Sequence, residues 1–182
     1  MPSYYRRLTS VALIIIAGYL LHFSLTMEGI GQTGRDPKAA INEGIVVKVA
    51  DGETIIVLGF GSVKLIGVDT PETVDPRKPV ECMGPEASEF TRKIALGKRV
   101  QLKGDPLARD DPYGRTLAYV FLPDGTLLNE EIVRQGYGRT TTFNYQRKKA
   151  FLAAERDARS KGLGGWTKCN WKEKGGSIKW DN

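Results

Sequence analysis

Three short stretches of the chain alternate between apolar and polar positions or are rich in β-branched side chains, which is typical of β-strands. They cover residues 44–50, 54–58 and 63–68. Asp51 and Gly52 separate the first two stretches, and this pair is favoured in the tight turn of a hairpin. The pattern therefore predicts a three-stranded meander that ends at Asp69.

Apolar residues return at helical spacing after a polar loop and predict three helices, with two strands between the first helix and the second. The predicted helices cover residues 84–96, 127–135 and 146–161, and the predicted strands cover residues 99–103 and 116–122. A glycine follows each helix at the position of a stop signal. This order of elements matches a five-stranded Greek-key barrel of the OB type, so the predicted fold class is α+β, mainly β.

The chain before this barrel has a basic start and then an apolar segment. Arg6 and Arg7 precede an apolar run over residues 11–27, which is at the short end of the roughly 17–25 residues that a membrane helix needs. We interpret residues 1–28 as a signal anchor with the folded domain outside the cytoplasm, or as the cleaved signal peptide of a secreted protein. The other predicted segments are a linker, the folded domain and a polar, loosely ordered tail, over residues 29–43, 44–168 and 169–182.

The net charge and the small numbers of cysteine and histidine limit the kinds of site that this chain can form. The 182 residues include 27 Lys and Arg against 21 Asp and Glu, and the net charge of +6 favours polyanions such as nucleic acid. Two cysteines are too few for a thiolate zinc site, and the single histidine, His22, lies in the N-terminal apolar run. Acid–base chemistry in the folded domain must therefore use other side chains. Export would permit a disulfide between Cys82 and Cys169, but their proximity does not follow from the sequence.

Four carboxylates are predicted to lie at one end of the barrel, where the hairpin turn and the end of the third strand meet. They belong to Asp51, Glu53, Asp69 and Glu72. Like charges at close range are costly unless a cation lies among them, and an all-oxygen set suits Ca²⁺. Lys64 and Arg115 are predicted beside this group, where they would face a phosphodiester. The alternatives are a polar turn for the acidic stretch and surface ion pairs for the two cations.

Six short motifs occur in consistent order over about residues 44–166 and together resemble the staphylococcal nuclease (thermonuclease) family. The motifs are Asp51-Gly52-Glu53-Thr54, Val68-Asp69-Thr70-Pro71-Glu72-Thr73, Gly84-Pro85-Glu86-Ala87-Ser88, Tyr113-Gly114-Arg115-Thr116-Leu117-Ala118-Tyr119, Asn129-Glu130 and Val133-Arg134-Gln135-Gly136. The resemblance implies an OB-fold barrel with three helices. It also implies a Ca²⁺-dependent endonuclease that hydrolyses DNA and RNA and leaves 3′-phosphate ends.

The resemblance implies a calcium site built from three residues. Asp69 would bind the ion through its carboxylate and Thr70 through its backbone carbonyl. From its place in the hairpin turn, Asp51 is expected to support these ligands. Glu53 stands where the family has aspartate, so the second carboxylate ligand is longer by one methylene. Calcium tolerates loose geometry, and we expect binding to survive at altered affinity.

The resemblance also implies catalytic roles. Glu72 would activate the attacking water, Arg115 would stabilise the transition state, and Tyr113 would lie near the substrate. Lys64 stands where the family has arginine, which replaces a bidentate fork with a point charge. We therefore expect a nuclease of reduced rate.

Two other functions fit the same residues. One is a non-catalytic nucleic-acid-binding barrel, and the other is a tethered protein-interaction domain with a relic site. Phe143 and Tyr145 follow the second predicted helix. Each is interpreted either as a residue that stacks on a nucleic-acid base or as a core residue. We expect the protein to be a monomer.

Overall fold

The computed structural model describes the chain from the first strand of the barrel onward. The described residues are 41–73, 75–77, 79–108, 111–169, 171, 173–174 and 177–178. The predicted signal segment and most of the predicted linker lie outside them. Within this described part of the chain, no helix combines the length and the apolar character that a bilayer crossing requires.

The barrel predicted from the hydrophobic pattern is confirmed. The strands of the first two thirds of the chain are β1 (Ile41–Val49), β2 (Thr54–Val57), β3 (Gly61–Leu65), β4 (Val68–Asp69), β5 (Arg99–Lys103) and β6 (Thr116–Phe121). Five of them form a barrel in the order β1-β2-β3-β6-β5, which is closed by the pairing of β5 with β1. Neighbouring strands are antiparallel, apart from β3 and β6, which are parallel. The remaining strand, β4, lies outside the barrel and pairs with β7 (Arg139–Thr140).

The first strand is longer than predicted. It begins at Ile41, so residues 41–43 belong to the barrel and not to the linker. Its first half pairs with β5, its second half pairs with β2, and the register shifts between Val46 and Lys48. Such a bulge bends a strand, which lets one continuous strand take part in both sides of the barrel.

The three predicted helices are present. They are α1 (Gly84–Ala95), α2 (Leu128–Arg134) and α3 (Lys148–Ser160). A fourth helix, α4 (Gly165–Lys168), was not predicted, because four residues are too few for a periodic pattern. Pro85 lies in the first turn of α1, where its missing N–H costs no hydrogen bond.

The predicted third strand is divided in two by a turn at Gly67. Gly67 has a φ of 78°, and a Cβ there would lie 2.7 Å from the ring of Tyr145. Tyr145 is buried in the main core. The turn therefore needs glycine both for its backbone conformation and for this close approach, and it directs β4 away from the barrel toward β7.

A buried amide anchors this turn to the barrel. The Nδ2 of Asn129 donates to the carbonyl oxygens of Ile66 (2.9 Å) and Ala118 (3.0 Å), and its Oδ1 accepts from the N–H of Val120 (2.9 Å). Asn129 lies on α2 and is fully buried. One side chain thus joins a helix, the β6 strand and the turn that leads to Asp69.

The C-terminal region is tied to the body of the protein. Cys82 and Cys169, whose pairing the sequence left open, form a disulfide with a Cα–Cα distance of 5.9 Å. Trp171 is buried beside Trp166, with ring centroids 5.4 Å apart. The prediction of a loosely ordered tail is therefore wrong for Trp171. Two short strands follow, β8 (Glu173–Lys174) and β9 (Ser177–Ile178), and pair with each other.

Candidate active site

The β2–β3 hairpin places an acidic and a basic residue side by side. Thr54 pairs with Lys64 across the two strands, and the N–H of Leu65 donates to the carbonyl of Glu53 (2.9 Å). The ammonium of Lys64 forms an ion pair with Oε1 of Glu53, and both side chains are largely buried. The barrel backbone itself thus brings these two predicted site residues together.

The same glutamate reaches the end of β4. Oε2 of Glu53 accepts the backbone N–H of Thr70 at 2.9 Å. Lys64 also points that way, since its Nζ lies 3.5 Å from the carbonyl oxygen of Val68. Residues that are separated along the chain by a hairpin and a turn therefore meet at one end of the barrel.

Asp51 shapes the turn that presents Glu53. Its Oδ1 accepts the N–H of Glu53 at 2.9 Å. The turn packs against α1, where the hydroxyl of Thr91 donates to the carbonyl of Gly52 (2.7 Å). A Cβ at Gly52 would lie 2.9 Å from the side chain of Ala87 on the same helix. The Asp51 carboxylate thus fixes the backbone from which the Glu53 side chain extends.

The electrostatics show that the acidic groups share one environment. Burial raises the pKa of Glu53 to about 7, the charge of Lys64 opposes this rise, and the nearby carboxylates of Asp69 and Asp51 add to it. A carboxylate that is buried among others is stabilised in its charged form by a cation. The region is therefore suited to hold a cation.

Asp69 lies opposite a buried arginine that sequence reasoning missed. The register of β4 and β7 pairs Asp69 with Arg139, and Nη2 of Arg139 lies 3.7 Å from Oδ2 of Asp69. The Asp69 side chain is 45% exposed, whereas Arg139 is 3% exposed. Burial lowers the pKa of Arg139, and the carboxylates of Asp69, Glu155 and Glu81 oppose that shift. The run of glycine, arginine and threonines around Arg139 has no local feature that marks it as a site residue.

Glu72 has a different set of neighbours, in a loop after β4. Its Oε1 accepts the N–H of Thr73 (2.9 Å) and the N–H of Asp75 (3.1 Å). Its own N–H donates to Oε2 of Glu81 (2.7 Å). These hydrogen bonds orient the carboxylate within its own loop, apart from the contacts that Lys64 and Thr70 make with Glu53.

Arg115 is held by a second aspartate that sequence reasoning missed. Its Nε and Nη2 donate to the two carboxylate oxygens of Asp111, at 3.0 and 2.8 Å. This pairing raises the pKa of Arg115, and the nearby charges of Glu53 and Asp51 make smaller contributions in the same direction. The hydrogen bonds from Arg115 likewise lower the pKa of Asp111. The spacing of Asp111 and Arg115, four residues apart in a proline- and glycine-bearing turn, was the available signal.

Tyr113 stands at the outer edge of this arrangement. It is 81% exposed, and the guanidinium carbon of Arg115 lies 5.3 Å from its ring centroid. Its N–H donates to Oδ2 of Asp111 at 3.0 Å. The ring is therefore held next to Arg115 and faces solvent.

A groove of about 360 Å³ is lined in part by Lys64 and by Asp111, the partner of Arg115. Its lining includes Lys64, Asp111, Leu117, Phe143 and Tyr145. Phe143 is 57% exposed, whereas Tyr145 is buried against Phe151 at a centroid distance of 5.4 Å. The two interpretations left open for these aromatic residues therefore divide: Tyr145 is a core residue, and Phe143 presents its ring at the groove.

The calcium site that the resemblance implies would use Glu53, Asp69 and Thr70 as its ligands. Over the described ranges, no group of three or more acidic, histidine or cysteine side chains is arranged to hold a metal ion. Glu53, Asp69 and the carbonyl of Thr70 supply oxygen only, which is the chemistry that Ca²⁺ requires, and water can complete its coordination. The Glu53 carboxylate is largely buried, and its present cationic partner is the Lys64 ammonium. The set thus fits Ca²⁺ in donor type, with Lys64 as a competing partner of Glu53.

A closed five-stranded barrel that has a group of carboxylates and two cations, Lys64 and Arg115, near one end is a nuclease-like OB barrel. The family model described as "Staphylococcal nuclease homologue" matches residues 62–168. The chain belongs to the staphylococcal nuclease family, which confirms the resemblance seen in its motifs.

Three relatives illustrate the similarity. Thermonuclease from Staphylococcus intermedius is 38% identical over 164 residues, which cover 87% of this chain and 96% of that protein. Thermonuclease from Staphylococcus hyicus is 33% identical over 163 residues, covering 84% and 94%. Endonuclease YncB from Bacillus subtilis is 33% identical over 130 residues, covering 68% of this chain and 61% of that protein. These similarities support nuclease activity in general.

Proposed function

We propose that this protein is a Ca²⁺-dependent endonuclease that hydrolyses DNA and RNA and leaves 3′-phosphate ends. The observation that carries the proposal is the convergence at Glu53. Its carboxylate meets the Thr70 N–H and the Lys64 ammonium, and Arg115 lies within electrostatic reach. Acidic groups that can hold a divalent ion and cations that can bind a phosphodiester thus occupy one end of the barrel.

In this proposal the ion is held by Glu53, Asp69 and the carbonyl of Thr70. When bound, Ca²⁺ would offset the negative charge of the phosphate. Glu72 accepts a proton from the attacking water, as a carboxylate base does when it is positioned within hydrogen-bond reach. Arg115 and Lys64 donate to phosphate oxygens as negative charge builds on them.

The fixed orientation of the Arg115 guanidinium suits a residue that donates to phosphate oxygens. Asp111 pairs with Nε and Nη2 of the guanidinium and thereby fixes its plane before substrate binds. A preorganised donor does not have to reorganise during the reaction, which is where its benefit lies. Lys64 has a weaker position, because it offers a point charge that Glu53 already attracts. A rate below that of an arginine-bearing site follows from this competition.

Two exposed aromatic rings favour single-stranded nucleic acid. Tyr113 lies beside Arg115, and Phe143 lies at the groove that also contacts Lys64. Aromatic rings stack on bases without selecting their sequence, and the net charge of +6 attracts the backbone. This combination favours cleavage with little sequence preference.

We further propose that the protein acts as a monomer outside the cytoplasm, secreted or attached to the membrane through residues 1–28. The disulfide between Cys82 and Cys169 supports an oxidising compartment. Detection of the folded domain by protease treatment of intact cells would test this location, and protection from protease would contradict it.

One observation favours a second function, that of a non-catalytic nucleic-acid-binding barrel. The Lys64 ammonium occupies one oxygen of Glu53, where the nuclease needs a metal ligand. If this ion pair persists, the basic end and the exposed rings still bind nucleic acid, but hydrolysis does not follow.

A digestion assay separates the two functions. The full chain is incubated with single-stranded DNA in Ca²⁺, and a matched sample contains a chelator. We expect cleavage that stops with the chelator, and products that prime a polymerase only after phosphatase treatment, as 3′-phosphate ends require. Binding that is unaffected by chelator, without cleavage, would support the binding module.

A further inference from the structure

A reciprocal pair of hydrogen bonds closes the loop that carries Glu72. The N–H of Glu72 donates to Oε2 of Glu81 at 2.7 Å, and the N–H of Glu81 donates to the carbonyl of Glu72 at 2.9 Å. Both bonds act on the backbone of Glu72 and therefore determine where its side chain begins. Glu81 is outside the motifs that carry the family resemblance.

The start of α1 supports the same backbone from close range. A Cβ at Gly84 would lie 3.0 Å from the carbonyl oxygen of Glu72 and 3.3 Å from that of Pro71, so a larger residue would displace the loop. Met83, at the N-terminal cap of α1, adopts a φ of 72°, which brings Gly84 into this position. We call residues 81–84 the anchor segment.

The anchor segment is held by the C-terminal region. Cys82, next to Glu81, is bonded to Cys169. Met83 packs in a cluster with Trp166, Cys169 and Trp171. The cluster is separate from the main core that the barrel strands line. The position of Glu81 therefore depends on a covalent tie and an apolar cluster at the far end of the chain.

We propose that Glu81 is a positioning residue for Glu72, and that the disulfide between Cys82 and Cys169 holds Glu81 in place. The inference rests on the proposed function, in which Glu72 accepts the proton of the attacking water. Removing the Glu81 carboxylate leaves the Glu72 N–H without its acceptor and lets the loop shift. A displacement of about 1 Å at a reacting group can lower the rate by roughly 10²-fold.

The first test compares Glu81→Ala with Glu81→Gln in the full chain, on single-stranded DNA with Ca²⁺. We expect Glu81→Ala to lower kcat about tenfold to a hundredfold with KM within about twofold, because the base is displaced while phosphate contacts remain. Glu81→Gln keeps an oxygen acceptor for the Glu72 N–H and should retain most of kcat. Glu89→Ala, an exposed glutamate of α1 paired with Arg92, is the matched control and should leave kcat unchanged.

The second test repeats Glu81→Ala in a Glu72→Gln background. If Glu81 acts through Glu72, the two losses are not additive and the double variant is no slower than Glu72→Gln alone. An equal loss in both backgrounds would overturn the positioning role. If Glu72→Gln itself retains full kcat, the proposed base is wrong; if it is slow while Glu81→Ala is not, only the positioning role fails.

The disulfide provides an independent arm that remains informative if Glu81→Ala does not fold. The double variant Cys82→Ser with Cys169→Ser, assayed well below its thermal midpoint, should lower kcat and leave KM nearly unchanged. Full kcat in this folded variant would refute the claim that the disulfide holds Glu81. A fall in the thermal midpoint alone would indicate a purely structural bond.

Discussion

Two parts of the candidate active site are held in different ways. Glu53 and Lys64 lie on a barrel hairpin, where the register of β2 and β3 and the hydrogen bond from Leu65 to Glu53 place them. Glu72 lies in a loop outside the strands, and the side chain of Glu81 and the start of α1 place it. The barrel hairpin thus positions a pair of opposite charges, whereas the Glu72 loop positions the proposed base.

This difference predicts how each part responds to substitution. Many backbone hydrogen bonds hold the hairpin in place. A single side-chain substitution there should therefore change the charge or length of the side chain, but not the position of the backbone. The loop depends on a few side-chain contacts, so single changes there alter position. Substitutions in the Glu72 loop should therefore change kcat strongly while they change the free energy of unfolding only a little.

The largest effect on kcat is expected at Glu72, the proposed base. Glu72→Gln should lower kcat about 10²–10⁴-fold, because the amide cannot accept the proton of the attacking water. Its oxygen can still accept the N–H groups of Thr73 and Asp75, so the free energy of unfolding should change by less than about 0.5 kcal/mol. Steady-state kinetics and urea unfolding measure the two quantities.

Arg115→Ala provides the comparison for that result. It should also lower kcat severely, since it removes a preorganised donor. If both variants cleave DNA as the parent does, the site is not where we place it. The exposed-residue change Glu89→Gln serves as the control and should leave both kcat and stability unaltered.

The next largest effect is expected from removal of the disulfide between Cys82 and Cys169, which lies next to Glu81. Replacing Cys82 and Cys169 with serine removes a cross-link between positions 87 residues apart. The unfolded chain then gains freedom, and the free energy of unfolding should fall by roughly 2–5 kcal/mol. Urea unfolding of the oxidised parent and the double variant measures this, with the reduced parent as a second reference. An unchanged midpoint would show that the C-terminal cluster holds itself without the bond.

The smallest effect is expected at the barrel hairpin. Lys64→Arg should raise kcat by on the order of tenfold, because a guanidinium can donate to two phosphate oxygens at once. Glu53→Asp, which shortens the carboxylate by one methylene, should alter the affinity for Ca²⁺, measured by calorimetry. Lys93→Arg, an exposed change on α1, is the control. No gain from either hairpin change would indicate that the site has adapted to its own pair.

Most of the fold was predictable because its elements have strong local patterns. The five barrel strands and the three helices appear in the predicted order, although β1 starts earlier than predicted and the predicted third strand is divided at Gly67. The errors lie where local patterns are weak or absent. The start of β1 at Ile41 follows from pairing with β5, and burial of Trp171 follows from contact with Trp166.

The residue types of the candidate site were also predictable, but not their partners. The motifs pointed to Glu53 and Arg115, and the strand that leads to Asp69 pointed to Lys64. Asp111 beside Arg115, Arg139 beside Asp69 and Glu81 beside Glu72 were missed. Arg139 lies far along the chain from Asp69, and only the register of β4 and β7 brings them together.

The sequence by itself therefore determined the kind of fold, the family and the chemical groups available for catalysis. Hydrophobic period and turn chemistry depend on residues a few positions apart, which a sequence displays directly. Only the tertiary structure decided that Glu53 bonds to the Thr70 N–H, that Tyr145 is core while Phe143 lines the groove, and that a disulfide lies behind Glu81. These contacts join distant positions through strand register and packing, and no local pattern specifies them.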